Sequence, residues 1–306
     1  MSSYTIGLDL GGTNLRAAAF STDGQLLQQV TRPTDVASGR EGMLNNMVEA
    51  IDSLRRAYAG EELLGVGIGV PGFIRLREGV ILNSNNLKPL EDFPLRETIS
   101  DRLGTPVLLE NDANAAALGE KWQGAGRNVN DLVLFTLGTG VGGGIIHHGR
   151  VILGVDGMAG ELGHITVYPD GNPCDCGNRG CLEKHASAMA VISLAKLIRL
   201  GDDLTPIQIA QSARDGDARA IQIWEHMGRA LGIALATVIN IFNYPLYLLS
   251  GGLLPAWDLF SPTMMAEAKL RSFTYRNAHT RIEQATLGHQ AGLYGAAYLP
   301  LLRKQG

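Results

Sequence analysis

From Tyr4 to Leu10 apolar residues alternate with Thr5, Gly7 and Asp9, Gly11-Gly12 interrupts the pattern, and Leu15 to Phe20 is apolar again apart from Arg16. That pattern predicts a strand, a tight turn and a second strand. Thr22-Asp23-Gly24 then supplies a hairpin turn before a third strand, Leu26 to Arg32. The scheme recurs from Asp131 to Ile146, again as strand, Gly/Thr turn and strand, with His148-Gly149 as the next turn. Between the two copies the periodicity predicts a helix over Gly42 to Ala57 and a buried strand over Leu64 to Val70. A hairpin around Glu78-Gly79, a strand over Val107 to Glu110 and an Ala-rich helix from Asp112 follow. After the second copy come a Gly/Ala-rich helix, Met227 to Ile241, a strand, Leu246 to Ser250, and the pair Gly251-Gly252. Small residues along that helix read as a close-packing device rather than as ligand contacts. A last helix, Ala291 to Leu302, is expected to cross back over the first half. The whole is mixed α/β with two related halves.

Composition narrows the function. A chain of 306 residues exceeds one average domain, so two lobes are expected. The net charge of -4 leaves no basic footprint and argues against nucleic acid as a partner. No signal peptide is evident, and the longest apolar helix candidate, Ala230 to Phe242, is too short for a bilayer. The expectation is a cytoplasmic protein with no membrane partner. The 39 glycines cluster at Gly11-Gly12, Gly138 to Gly144, Gly154 to Gly163 and Gly251-Gly252, each beside a predicted strand. Any one cluster alone reads as a hairpin turn; several together, beside Thr, Asp or Glu, point to nucleotide binding.

Glycine-rich turns suit phosphate because consecutive backbone N–H groups can converge on anionic oxygens. Thr13 and Thr139 add hydroxyls, and Asp9 at a strand end is placed to hold Mg²⁺ or its waters. No Walker sequence is present, and neither loop has the strand–turn–helix context of a dinucleotide fingerprint. All three cysteines lie in Cys174-Asp-Cys176-Gly-Asn-Arg-Gly-Cys181, and His164 stands upstream. Together they match the Cys₃His set of structural zinc, which is favoured here over a disulfide or free thiols.

Asp-Leu-Gly-Gly-Thr-Asn-Leu-Arg (residues 9 to 16) resembles the first phosphate motif of the sugar kinase/actin/Hsp70 ATPase superfamily. Leu-Gly-Thr-Gly-Val-Gly-Gly-Gly (137 to 144) is similar to the second, and Leu-Ser-Gly-Gly (249 to 252) to the adenosine motif. The run from Thr136 to Glu183, with Gly-Met-Ala-Gly-Glu-Leu-Gly-His and the cysteine motif, resembles the ROK (repressor, open reading frame, kinase) family, its glucokinase branch most. The resemblance covers essentially the whole chain. It implies a two-lobed, actin-like or ribonuclease H-like ATPase fold, with residues 1–118 and 290–306 in a small lobe and 119–289 in a larger one. It further implies Mg-ATP, a structural zinc, a hexose substrate and a homodimer.

Residue by residue, the resemblance assigns ATP and magnesium to Asp9, Gly11, Gly12, Thr13, Asn14, Gly138, Thr139, Gly140, Gly251 and Gly252. Asp112 matches the catalytic base, and Gly72, Asn86, Asn111, Glu161, His164 and Glu183 match the sugar pocket, with His164 also a zinc ligand. Without that pattern Asp112 would read as a helix cap. The carboxylates and amides suit a polyol, whose hydroxyls both donate and accept. Phosphoryl transfer to the 6-hydroxyl of glucose is the leading expectation. The alternatives are another hexose (fructose, mannose, allose or N-acetylmannosamine) or a sugar sensor without catalysis. The repressor branch carries a DNA-binding domain before the first phosphate motif, where this sequence has eight residues.

Overall fold

The computed structural model describes residues 2–84 and 86–304. In chain order the strands and helices begin with β1 (Ser3–Leu10), β2 (Asn14–Ser21), β3 (Leu26–Pro33), α1 (Gly39–Ala57) and β4 (Glu62–Val70). A small hairpin, β5 (Phe73–Arg75) and β6 (Val80–Asn83), precedes α2 (Leu95–Leu103), β7 (Val107–Asn111) and α3 (Asp112–Gln123). The repeat follows as β8 (Leu132–Leu137), β9 (Val141–His147) and β10 (Arg150–Val151). The helices α4 (Glu183–Ala186), α5 (Ala188–Leu197), α6 (Pro206–Arg214) and α7 (Ala218–Phe242) come next. The chain closes with β11 (Leu246–Ser250), α8 (Trp257–Arg271), α9 (Phe273–Asn277), β12 (Arg281–Gln284) and α10 (Ala291–Lys304).

Two compact units result. The first comprises Met1–Asn130, Gly144–Gly160 and Thr286–Gly306, and the second Asp131–Gly143 and Glu161–Ala285. The boundaries expected from sequence lay at 118 and 290; α3 runs unbroken to Gln123, which carries its unit past 118. In the first unit the sheet order is β3-β2-β1-β4-β7, antiparallel in β1–β3 and parallel from β1 through β4 to β7. In the second unit β9-β8-β11-β12 repeats that order, with β11 parallel to both β8 and β12. Strand β9 runs on into the first unit, where its last residues pair with β10. This repetition is what the actin-like expectation requires. Among the described residues no helix is long and apolar enough to cross a membrane.

Apolar residues on one face of the first sheet pack against α1 and α2: Leu8, Ile68 and Val66 meet Met43, Met47, Leu54 and Ile99 in one buried cluster. The C-terminal helix α10 lies against the same sheet, as its sequence suggested. Close approach is the reason for the small residues there. A Cβ at Gly7 or Gly67 would collide with the carbonyl oxygens of Leu293 or Ala296, and one at Gly295 with that of Ala115 on α3. In the second unit the small residues of α7 do the same against α8, Gly228 facing Phe260 and Gly232 facing Met264. That helix begins at Ala218, capped by Asp217, well before the Met227 expected from its Gly/Ala stripe.

One buried carboxylate fixes the end of α3. Glu120 is fully buried and accepts the N–H groups of Ala125 (2.9 Å), Thr286 (3.0 Å) and Leu287 (2.7 Å), tying α3 to the segment that opens α10. Replacing it by alanine strands three donors in the interior. Glu120→Ala is therefore expected to lower unfolding free energy by about 3 kcal/mol or more, with Glu120→Gln recovering part of it. Urea denaturation measures this, and a loss below about 1 kcal/mol would mean the tie is dispensable.

Candidate functional site

In the first unit the expected residues gather at the carboxyl ends of β1, β4 and β7, the edge of a parallel sheet where the backbone is open to ligands. Asp9, near the end of β1, is ion-paired with Arg16, its register partner on β2. After β1 the chain turns at Gly11, whose N–H donates to the Asn14 carbonyl (3.1 Å). Neither Gly11 nor Gly12 has a positive φ. Glycine is needed there for space: a Cβ would stand 2.7 Å from the Asn14 carbonyl oxygen at Gly11 and 3.0 Å from the Asn86 Cβ at Gly12.

Thr34, buried just after β3, clamps this turn, with its hydroxyl on the Gly11 carbonyl (2.5 Å) and its N–H on that of Thr13 (2.9 Å). The N–H groups of Gly12 and Thr13 make no hydrogen bond among the described residues. They are two adjacent donors held by a clamped turn.

The corner between β7 and α3 carries Asn111 and Asp112. Asn111 is the helix cap: its Oδ1 accepts the N–H groups of Ala113 (2.9 Å) and Asn114 (3.2 Å). Its Nδ2 donates to the carbonyl of Gly72 (3.1 Å), a residue held at φ 107°. Those bonds leave one amide hydrogen of Asn111 for a sugar hydroxyl, less than its expected role implied. They also take the cap away from Asp112. Asp112 is exposed at the first helical position, its Oδ1 bonded to the Ala113 N–H (2.9 Å). Gly292 of α10 faces this corner; a Cβ there would be 3.5 Å from Asp9 Oδ1 and 3.9 Å from the Asp112 carbonyl oxygen.

In the second unit the corresponding loops follow β8 and β11, neighbouring parallel strands. Gly138 N–H bonds the Gly140 carbonyl (3.0 Å), and the Gly138 carbonyl takes the first N–H of α5, from Ala188 (2.9 Å). Thr136 holds the Gly142 N–H (3.2 Å) and Glu183 Oε2 holds that of Val141 (3.0 Å). The N–H groups of Thr139 and Gly140 make no hydrogen bond among the described residues, which repeats the first loop's arrangement. Gly251, at φ 108°, packs on the Leu137 backbone, so the turn after β11 rests on the end of β8. A Cβ at Gly138 or Gly252 would meet nothing within 4 Å.

Glu161, His164 and Glu183 stand together in this unit. His164 Nε2 lies 4.0 Å from Glu161 Oε2. Partial desolvation raises the pKa of Glu161; the His164 ring opposes that and the Glu183 carboxylate adds to it. The other ring nitrogen of His164, Nδ1, lies 3.6 Å from Cys174 Sγ, and Cys176 Sγ lies 3.7 Å from Cys181 Sγ. All four donor atoms are within 4.8 Å of one another. A disulfide needs sulfurs about 2.05 Å apart, so the pair is not one. With metal–sulfur bonds of about 2.3 Å, a tetrahedron separates its sulfurs by about 3.8 Å, which the Cys176–Cys181 spacing matches. The donor set fits zinc.

Thr34, Glu110 and Asn114 bond around the expected residues, and no sequence motif marks them. Glu110 and Asn114 flank Asn111-Asp112, and that adjacency was the available signal. Thr34 gave none beyond following a predicted strand.

The ROK family profile matches residues 5–302. A protein named glucokinase from Halalkalibacterium halodurans is 38% identical over 97% of this chain and 94% of its own. The ROK hexokinase structure from Thermus thermophilus superposes with a TM-score of 0.89 at 34% identity, covering 99% of this chain and 100% of that one. A ROK family glucokinase from Streptomyces griseus, solved in complex with glucose and AMPPNP, gives a TM-score of 0.78 at 33% identity over 99% and 100%.

The capping role of Asn111 has a stability consequence separate from chemistry. Asn111→Ala is expected to cost about 1–2 kcal/mol; Asn111→Asp restores the cap but not the bond to the Gly72 carbonyl, and so recovers only part of it. Chemical denaturation of the three proteins measures it; equal midpoints would remove Asn111 from the cap.

Proposed function

The chain belongs to the ROK family, and we propose that it transfers the γ-phosphoryl group of ATP to the 6-hydroxyl of a hexose, glucose foremost. It is an ATP-dependent sugar kinase. One observation carries the reading: two glycine turns at the carboxyl ends of parallel strands each hold adjacent N–H groups unpaired among the described residues. Such donors suit phosphate oxygens. Glucose is the hexose supported by the relative named glucokinase and by the neighbour solved with glucose.

In this reading Gly11 to Asn14 and Gly138 to Gly140 receive the phosphates of ATP, while Gly251-Gly252 lies along the adenosine. Asp9 is the carboxylate at hand for the magnesium ion that accompanies ATP, an ion whose chemistry is to neutralise phosphate charge. Asp112 accepts the proton of the attacking hydroxyl. A carboxylate suffices as base, because the transition state is loose and the proton leaves late. Gly72, Asn86, the remaining amide hydrogen of Asn111, Glu161, His164 and Glu183 are assigned to the sugar. Glu183 spends Oε2 on Val141 and keeps Oε1 for a hydroxyl.

Zinc would be held by His164 Nδ1 and the sulfurs of Cys174, Cys176 and Cys181, and would brace the loop with no open position for catalysis. ATP as a substrate and three reduced thiols suit the cytoplasm, and the family resemblance makes a homodimer the expected assembly.

The test is ADP release from Mg-ATP across glucose, mannose, fructose, allose, N-acetylglucosamine and N-acetylmannosamine. Preference for glucose is expected, with Asp112→Asn lowering kcat roughly 10²–10⁴-fold while the protein stays folded. Turnover of another hexose would replace the substrate, and none at all would favour a sensor. Stripping zinc from protein that stays folded is expected to raise KM for the sugar roughly tenfold or more, because His164 loses its orientation. An unchanged KM would uncouple the metal from the sugar.

A further inference from the structure

Of the carboxylates around the site, Glu110 has no part in the chemistry so far described, yet it is the most deeply placed. It lies at the end of β7, 4% exposed, in one cross-strand row with Gly69 of β4 and Asp9 of β1. Its Oε1 accepts the backbone N–H of Asn111 (2.9 Å) and the side-chain Nδ2 of Asn114 (3.0 Å). These two residues flank Asp112 in sequence. Asn111 in turn caps α3 and grips Gly72, so one buried carboxylate holds both sides of the turn that carries the proposed base.

We propose that Glu110 is a positioning residue for Asp112: while ionised it grips Asn111 and Asn114 and fixes the first turn of α3, and on gaining a proton it lets that turn re-pair. The proposal rests on the reading of Asp112 as the base of a sugar kinase. A second observation supplies the alternative pairing. Asn114 Oδ1 is buried and lacks a hydrogen-bond partner among the described residues. A carboxylate is acceptor-only, whereas a neutral carboxyl also donates one O–H. A protonated Glu110 therefore has an acceptor in reach on the residue it already touches, and using it requires the Asn114 amide to turn.

The environment allows this exchange near neutrality. Burial raises Glu110 to about 7, opposed by the Asn111 N–H and the Asn114 amide. Its shift is set by burial and those two donors; Asp9 of β1 shares its cross-strand row and Asp112 the turn it holds. The sign follows. Above the midpoint the carboxylate is ionised, the turn is held and transfer is fast; below it the hold is lost.

Two readouts test this. In ¹⁵N-labelled protein the Asn111 backbone amide and the Asn114 side-chain amide should shift together with a midpoint near 7, and stay flat in Glu110→Gln. In turnover, kcat/KM for the sugar should fall roughly tenfold per pH unit below that midpoint in the wild type. The Glu110→Gln limb should be absent, because glutamine keeps the acceptor and loses the titration. Flat amide signals in the wild type would overturn the proposal whatever the turnover, including in the event that Glu110→Gln does not fold. A Glu110→Gln profile that keeps the wild-type limb would also overturn it. Absence of hexose turnover with titrating amides would sink the kinase reading and leave the hold of Glu110 on the turn standing.

Discussion

A strand that passes directly into a helix leaves the first N–H groups of that helix with no partner inside it. At the end of β7 they open toward the edge of a parallel sheet, where nothing in the sheet can satisfy them. How the chain answers them decides the orientation of everything nearby. Asn111 takes two of the N–H groups with Oδ1, and its Nδ2 reaches the Gly72 carbonyl on a different connection. Because the cap belongs to Asn111, Asp112 sits one step along, exposed, at the positive end of the helix.

The same economy of acceptors recurs in both units, and it divides the carboxylates into two kinds. Glu110 and Glu120 are buried and receive backbone N–H groups, and Glu183 receives that of Val141 in the second glycine turn. Asp112 and Glu161 are exposed. The buried ones set the helix ends; Glu183 and Asp112 each spend one oxygen on a backbone N–H. A hydrogen bond to a charged group contributes about 1.5–3 kcal/mol, enough to hold a turn in one arrangement. The glycine turns complete the pattern. Their backbone is clamped at the edges, by Thr34 in one and by Thr136 and Glu183 in the other. Only the middle N–H groups remain unpaired among the described residues.

Much of this was legible in the residues. The alternation around Gly11-Gly12 and Gly138 to Gly144 gave the repeated strand–turn–strand, and the spacing of Cys174, Cys176, Cys181 and His164 gave a metal set whose atoms do converge. What stayed hidden depends on tertiary contact. The reason for Gly12 is the Asn86 side chain far along the chain, not a positive φ, and no local pattern reveals that. Thr34 follows a strand as many polar residues do. Glu110 continues an apolar strand and reads as its polar end, although the packing of α3 and α10 over Gly69 buries it. The stripe that includes Gly228 and Gly232 marks only the later part of helix α7, while its start depends on the Asp217 cap.

Phosphoryl transfer as proposed requires Asp112 to meet a sugar hydroxyl, and a crystal structure of the unmutated protein with glucose and a non-hydrolysable ATP analogue addresses that directly. The expected result is the 6-hydroxyl within hydrogen-bond distance of an Asp112 carboxylate oxygen, with phosphate oxygens on the N–H groups of Gly12, Thr13, Thr139 and Gly140. Glucose bound with its 6-hydroxyl on another residue, or phosphates away from those turns, would contradict it.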